Sequence, residues 1–242
     1  MNDMATHYMY LFVNFYILKE LLSLFTTMKN ITLREWQKIY KDPKDLIVQA
    51  SVTNGSDAWQ AFPIGFCWQY GLHYQKGEAL QIGNHENMVT CHITPDTDSR
   101  RRPFGKNRRS ILTQLKKNGI PNRVVDHSEY FDKLPSYRFV ISPEGNGIDC
   151  HRHYEALMAG CIPIMEHHSQ IEKKYKGCPI LYTNDYSEIT PEYLSKVYEQ
   201  MLDTHYDFSS LFMSSYSEDQ QQQIRYCGNF WMTRLTHSKW YN

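Results

Sequence analysis

The sequence lacks an apolar stretch long enough to cross a lipid bilayer. Its most apolar segment runs uncharged from Tyr8 to Leu18, about half of the roughly 20 residues that a spanning helix needs. Lys19 and Glu20 interrupt the segment, and no basic region precedes it as in a signal peptide. We therefore expect a packed helix here, no membrane span and a cytoplasmic protein. A helix lying in a membrane interface is the alternative.

The sequence also lacks an excess of either charge. Its 26 Lys and Arg balance 26 Asp and Glu, so it has no basic footprint of the kind that nucleic-acid binding requires. The six cysteines are widely spaced without a C-x-x-C pair, which favours reduced, buried thiols over a disulfide framework. No G-x-G-x-x-G dinucleotide motif and no Ser-His-Asp or nucleophilic-cysteine pattern can be read.

What the chain does contain is enough apolar material for a sizeable core, since 41% of its 242 residues are hydrophobic. Its 18 tyrosines are typical of clefts for polar or sugar-like ligands. Residues 1–86 combine a predicted helix at 31–41, a strand at 45–52 and an irregular glycine-rich segment. We predict that residues 1–86 form a small domain and that residues 87–242 form a larger one.

Strands alternate with helices in the second part. The predicted strands are NMVTCHIT, NRVVD, YRFVIS, CIPIM and CPILY. Two predicted helices span 107–118 and 150–159, and a third begins at Thr190-Pro191. This alternation is typical of an α/β fold with a doubly wound, Rossmann-like parallel sheet. Ligands of such sheets bind beyond the carboxyl ends of the strands.

Segment 139–165, FVISPEGNGIDCHRHYEALMAGCIPIM, places polar residues at such an edge. A predicted strand ends at Ser142, and Gly145 and Gly147 allow the backbone to approach a ligand closely. Asp149 is the expected N-cap of the following helix, and Gly160 ends it. The free amides at the start of that helix favour a phosphate group.

Two charged residues of this helix extend the prediction. Arg152 lies in the first turn, where its guanidinium can bind the same anion. Glu155 follows three residues later on the same face and can accept two hydroxyls of a ribose. The alternative is an ordinary β–α–β unit in which Arg152 and Glu155 form a surface ion pair.

The segment resembles the signature of exostosin-type glycosyltransferases, in which a Pro-x-Gly turn leads to a helix with R-x-x-E-A and then G-C-I-P. The resemblance spans about 88–185, is strongest over 138–165, and extends to fucosyltransferase-like enzymes. It also extends to short exostosin-like enzymes of large algal viruses, some of which transfer xylose; a viral protein would act in the host cytosol. It implies a two-domain GT-B-like fold with a smaller, acceptor-side N-terminal domain, a nucleotide sugar bound in the C-terminal domain, and inversion at the anomeric carbon.

The same resemblance implies the substrates and part of the site. Arg152 would hold the pyrophosphate and Glu155 the ribose, and the donor sugar would lie beside Ser142 and the turn formed by Glu144, Gly145, Asn146 and Gly147. UDP-xylose is the favoured donor and a glycan or glycoprotein the acceptor. GDP-fucose is the rival donor. A non-catalytic nucleotide- or carbohydrate-binding module is the other alternative, and a nicotinamide-dependent oxidoreductase is the third.

The loop TPDTDSRRRPFGKNRR at 94–109 allows two interpretations. Asp96 and Asp98 fit a D-x-D pattern that binds Mn²⁺ or Mg²⁺ in GT-A-like enzymes, or they form a solvated acidic turn. Alternatively, the basic residues neutralise a leaving diphosphate without a metal, or they form a solvated basic loop. The candidates are Arg102, Lys106, Arg108 and Arg109. We expect that no cofactor is required and do not favour a metal.

Two further sites complete the expectation. The segment VDHSEYF follows a predicted strand, so His127 and Tyr130 are candidates for contacting the base of the nucleotide, although a loop histidine is often simply exposed. Inverting transfer needs a general base from the opposite wall of the cleft. Asp57 is the first choice, with Glu78, Glu86 and His73 as rivals. The alternative role of Asp57 is to cap a turn or helix.

Overall fold

The computed structural model describes residues 28–52 and 61–242. In chain order, the strands are β1 (Lys29–Thr32), β2 (Asn87–Cys91), β3 (Tyr137–Ile141), β4 (Ile162–Glu166), β5 (Leu181–Thr183) and β6 (His205–Asp207). The helices are α1 (Leu33–Trp36), α2 (Trp68–Gln75), α3 (Arg108–Lys117), α4 (His127–Lys133), α5 (His151–Met158), α6 (Ser169–Lys174), α7 (Pro191–Leu202) and α8 (Glu218–Thr236). Short 3₁₀ turns occupy Pro43–Asp45, Leu134–Ser136, Tyr186–Glu188, Ser209–Leu211 and Met213–Ser215.

The central layer is a four-stranded sheet in the order β2-β3-β4-β5, and every pair is parallel. Its inner strands read as continuous apolar runs because both faces are covered, and all of β4 is buried. The predicted α/β fold with a parallel sheet is confirmed. These four strands follow one another in chain order, so the reversal of order that defines a doubly wound sheet is not seen among the strands described.

Two predicted strands are wrong. The segment NRVVD runs beside β2, but only the Arg123 amide bonds to the Cys91 carbonyl, at 2.8 Å. The Asn122 side chain takes both hydrogen bonds of the Ile93 backbone, which prevents a regular ladder. At 45–52, only isolated bridges form, because Gln49 adopts a left-handed φ of 52° that bends the chain.

The predicted helix at 31–41 is shorter than expected. Thr32 and Glu35 form a capping box, so the start of α1 is encoded locally, but the helix ends at Trp36. The predicted starts of α3 and α7 are confirmed: Asn107 and Thr190 are the N-caps, and each accepts an amide hydrogen from the first turn of its helix.

Residues before 87 pack directly on the α/β part. Trp36 stacks on Phe208 at 4.1 Å, and its indole donates to the Leu157 carbonyl at 2.7 Å. Ile47 and Tyr154 are joined by a buried hydrogen bond, and both belong to one continuous hydrophobic cluster. The domain boundary at residue 86 stays a prediction.

None of the helices within the described ranges has the length and apolar character needed to cross a membrane, and the Tyr8–Leu18 segment lies outside those ranges.

Candidate functional site

The turn after β3 is built by the backbone and by residues distant in sequence. The Ser142 amide bonds to the Ile164 carbonyl of β4 at 2.9 Å, and the Gly145 amide bonds to the Gly147 carbonyl at 2.9 Å. The Ser142 hydroxyl is fully buried and bonds to His153 Nδ1 at 2.7 Å. This hydrogen bond gives Ser142 a structural role beneath the turn, and its contact with a donor sugar stays a prediction.

Asp149 is not the N-cap of α5, contrary to the prediction. The cap is Cys150, which makes no side-chain hydrogen bond to the helix. The Asp149 carboxylate is held instead by Lys174 Nζ and the Tyr175 hydroxyl, each at 2.8 Å. It also accepts the Ile64 amide hydrogen at 3.2 Å. These partners are distant in sequence and override the local capping preference.

Arg108 is a buried clamp on the turn and not a free phosphate ligand. Its side chain donates to the carbonyls of Glu144 at 2.8 Å, Pro143 at 3.1 Å and Thr94 at 3.3 Å. Burial lowers the pKa of Arg108. A Cβ at Gly145 would lie 2.7 Å from Arg108 Nη2, so any larger residue here would have to displace the Arg108 guanidinium. These contacts give Arg108 a structural role in the turn, and its predicted role in donor binding stays a prediction.

Arg102 and Asp98 connect this clamp to the sheet. Asp98 is 2% exposed and accepts hydrogen bonds from Arg102 Nε and the Arg108 amide, each at 2.9 Å. Arg102 also bonds to Glu166, at the end of β4, at 2.8 Å. The Glu144 carboxylate pairs with Arg101 at 2.5 Å. Glu144 is thus held by the basic loop at 94–109. This loop packs on the edge of the sheet, so only part of it is exposed to solvent.

Asp96 and Asp98 do not converge on a common point for a metal. Asp96 is exposed and forms a two-bond ion pair with Arg109, at 2.5 and 2.9 Å, whereas Asp98 points inward. This pair raises the pKa of Arg109. Within the described ranges, no group of three or more His, Cys, Asp or Glu side chains is arranged to hold a metal ion.

Arg152 and Tyr130 carry unused hydrogen-bonding groups. In the described part of the chain, Arg152 Nε and the Tyr130 hydroxyl are the buried side-chain polar atoms without a partner. The guanidinium lies 5.7 Å from the centre of the Tyr130 ring. Burial, with a smaller contribution from Glu155, raises the pKa of Tyr130, so its hydroxyl keeps its proton at neutral pH. An unpaired buried polar group costs about 1–3 kcal/mol, so a bound partner would stabilise this site.

Glu155 is a buried carboxylate beside these two groups. It is 4% exposed, and its Oε1 accepts the Cys67 amide hydrogen at 3.3 Å. No ion pair joins Arg152 to Glu155 among the residues described, so the surface-pair alternative does not form. Burial, followed by Glu155, raises the pKa of the Cys67 thiol. The carboxylate also lies at the N-terminus of α2, which gives it a structural role there.

His92 completes the group and was missed by the sequence analysis. It follows β2 directly, stacks on the Tyr130 ring at 5.0 Å, and has its pKa lowered by burial. His92 lies inside the predicted strand NMVTCHIT, so the sequence carried no signal that it would follow the end of β2. We call His92, Tyr130, Arg152 and Glu155 the carboxyl-edge cluster, because β2 and β3 lead into it.

The remaining predicted residues lie as follows. His127 is the exposed first residue of α4 and stacks on Phe131 at 6.3 Å. Asn146 is exposed at the tip of the turn and Gly147 is half-buried. Asp57 lies outside the described residues. The structure thus brings Arg152 and Glu155 together with Tyr130, and assigns Ser142 and Arg108 to the scaffold.

Comparison with known proteins adds no relative: no protein-family model matches the chain, and no curated protein matches it.

Proposed function

We propose that this protein is an inverting glycosyltransferase that moves a sugar from a nucleotide-sugar donor to a hydroxyl of a glycan or glycoprotein acceptor. The observation that carries the proposal is the carboxyl-edge cluster. It combines an unpartnered guanidinium nitrogen of Arg152, an unpartnered hydroxyl of Tyr130 and the buried carboxylate of Glu155. UDP-xylose is the donor that the sequence resemblance favours, together with a GT-B-like architecture.

Each group of the cluster suits one part of a sugar nucleotide. The Arg152 guanidinium donates to the diphosphate, whose charge matches a half-buried cation. Glu155 accepts ribose hydroxyls with the oxygen that does not bind the Cys67 amide. The donor sugar lies beside Gly145, Asn146 and Gly147, where the absence of bulky side chains leaves room at the backbone.

The reaction is a single displacement. A general base, proposed as Asp57, takes the proton of the acceptor hydroxyl, whose oxygen attacks the anomeric carbon from the face opposite the diphosphate. The bond from that carbon to the diphosphate oxygen breaks, and the leaving group keeps the electron pair. Arg152 stabilises the developing charge. The proposal requires no metal, because a protein cation faces the leaving group.

Binding measurements test the donor site. Calorimetry with UDP, UDP-xylose and GDP-fucose should identify one nucleotide, and Arg152→Gln and Glu155→Gln should each weaken it about 10- to 100-fold, because hydrogen bonds to charged groups contribute roughly 1.5–3 kcal/mol. Glutamine at 155 can still accept the Cys67 amide hydrogen, so the fold should persist. Arg234→Gln and Glu199→Gln make the same substitutions at exposed residues and are the matched controls, which should leave nucleotide affinity unchanged. Equal affinity in all four variants would remove the cluster from the donor site.

Turnover separates transfer from binding. Asp57→Asn should abolish donor hydrolysis and transfer while preserving nucleotide affinity. A wild-type protein that binds the nucleotide but turns over no donor, across a broad acceptor panel, would instead be a binding module. That second function is favoured by one observation: Arg102, Arg108 and Arg109 are all engaged by carboxylates or carbonyls, which leaves charge stabilisation mainly to Arg152.

A further inference from the structure

A small cleft lined by Lys41 opens between the segments 39–46 and 79–82. Tyr70 of α2 and Met158 of α5 also contribute to its wall. Its volume is about 20 Å³, which is room for about one or two water molecules. The cleft shares no described lining residue with the proposed donor site, so the lysine is available for a separate role.

The wall around the Lys41 amine is apolar. Leu46, Phe66 and Ile82 are among the side chains that line the cleft with it, and none of the described lining residues is Asp or Glu. Lys41 Nζ donates a hydrogen bond to the Trp36 carbonyl at 2.8 Å. The amine therefore has a backbone acceptor but, in the described wall, no carboxylate that would hold its proton.

This environment favours the neutral, nucleophilic form of the amine. Burial lowers the pKa of Lys41 to about 7, so about half of the amine is unprotonated at neutral pH, compared with roughly one part in 3,000 at the ordinary value. The Trp36 ring, centred 4.3 Å from Nζ, opposes this shift because an aromatic face stabilises a cation. The titratable neighbours are uncharged at pH 7, since burial raises the pKa of Cys161 and lowers that of His85.

The apolar wall and the hydrogen bond select among the products that this nucleophile could form. Alkylation leaves a basic amine whose charged form the wall disfavours, and a carbamate adds a buried negative charge. A neutral imine has no N–H left for the Trp36 carbonyl. An amide is neutral and keeps one N–H for that carbonyl. Gln81, which is exposed and lines the same cleft, can donate to the new carbonyl oxygen.

We infer that Lys41 is an acylation site that takes a small acyl group, such as acetyl, from an acyl thioester or an acyl phosphate. The Nζ lone pair attacks the carbonyl carbon, and the bond from that carbon to the sulfur or the phosphate oxygen breaks. The leaving group keeps the electron pair, and one of the two amine protons passes to water. The other proton stays on nitrogen and maintains the hydrogen bond to Trp36.

Competitive trace labelling of the full chain with acetic anhydride, followed by peptide mass spectrometry, tests the reactivity from about pH 6 to 10. Lys38 and Lys44 are exposed neighbours in the sequence and serve as internal controls. At pH 7, Lys41 should be acetylated at least tenfold faster than either control, and its labelling should follow a pKa near 7. The advantage is smaller than the ratio of neutral fractions, because nucleophilicity falls with basicity. Slower labelling of Lys41 than of both controls at pH 7 would overturn the inference.

A charge placed at the rim tests the role of the cleft. Ile82 lines the cleft with its side chain 51% exposed, so Ile82→Glu and Ile82→Gln should both fold and differ mainly in charge. The carboxylate should raise the pKa of Lys41 and lower its labelling at pH 7 at least threefold relative to the glutamine variant. Equal labelling of Lys41 in the two variants would overturn the assignment of its reactivity to this cleft.

Incubation of the wild type at pH 7 with acetyl phosphate, or with the acetyl thioester of N-acetylcysteamine, distinguishes the two sources of the acyl group. Acetylation of Lys41 ahead of Lys38 and Lys44 by either compound supports the inference and identifies the donor class. Acetylation by neither compound, or at equal rates on all three lysines, would contradict it.

Discussion

Arg108 and Arg109 are adjacent arginines that the sequence treats alike, and the structure predicts opposite results when each is replaced. Arg108 is 4% exposed and holds three carbonyls of the turn and its neighbouring loop. The Arg109 side chain is 71% exposed and pairs only with Asp96. We expect Arg108→Met to destabilise the protein strongly and Arg109→Met to leave its stability unchanged within error.

The magnitude follows from the contacts that are lost. Replacing Arg108 removes three hydrogen bonds from a charged donor, each contributing about 1.5–3 kcal/mol. The loss is reduced because the Glu144 carbonyl keeps Arg102 as a donor and the Thr94 carbonyl keeps the Thr97 hydroxyl. Removing a buried guanidinium also relieves its desolvation, which offsets part of the loss. We expect a net decrease of about 3–4 kcal/mol in the free energy of unfolding, or roughly 10 °C in Tm for a chain of this length.

Urea titration followed by tryptophan fluorescence, together with calorimetric melting, measures both variants. Arg108→Lys is a useful third variant: it keeps the charge but not the planar fork, so its stability should fall between wild type and Arg108→Met. Equal stability of the Met variants would refute the clamp. An Arg108→Met protein that keeps its stability but loses nucleotide binding would restore the role suggested by the sequence.

Two further predictions concern the turn and a half-buried lysine. Gly145→Ala should lower the free energy of unfolding by about 1–3 kcal/mol in urea titration, because its Cβ would meet Arg108 at 2.7 Å. Gly147→Ala, whose nearest atom is 3.7 Å away, should change it little, and similar losses would contradict the packing argument. Burial lowers the pKa of Lys41 from 10.5 to about 7, so the unfolded chain binds more protons between these values and wild-type stability should rise with pH there. Lys41→Met should flatten that rise between pH 7 and 10 by about 1–3 kcal/mol, and parallel stability–pH curves would show that Lys41 stays charged in the fold.

Local sequence signals determined several elements by themselves. Asn107 and Thr190 mark the starts of α3 and α7, and Gly160, with a left-handed φ of 78°, follows the end of α5. The apolar runs YRFVIS and CIPIM, alternating with helices, predicted strands of a parallel sheet, and they form β3 and β4. These predictions succeeded because capping, left-handed glycine and apolar runs depend on residues within a few positions of each other.

The tertiary structure alone decided what the charged residues do. Arg108 meets the Pro143 carbonyl 35 positions away, while Arg109 turns to solvent, since consecutive residues of a helix point in different directions. Asp149 serves Lys174 and Tyr175 in place of its own helix. The unpaired groups of Tyr130 and Arg152 emerge only when α4 and α5 pack together. A motif names the residue types at a sheet edge, but burial and long-range partners determine which of them remain free to bind a ligand.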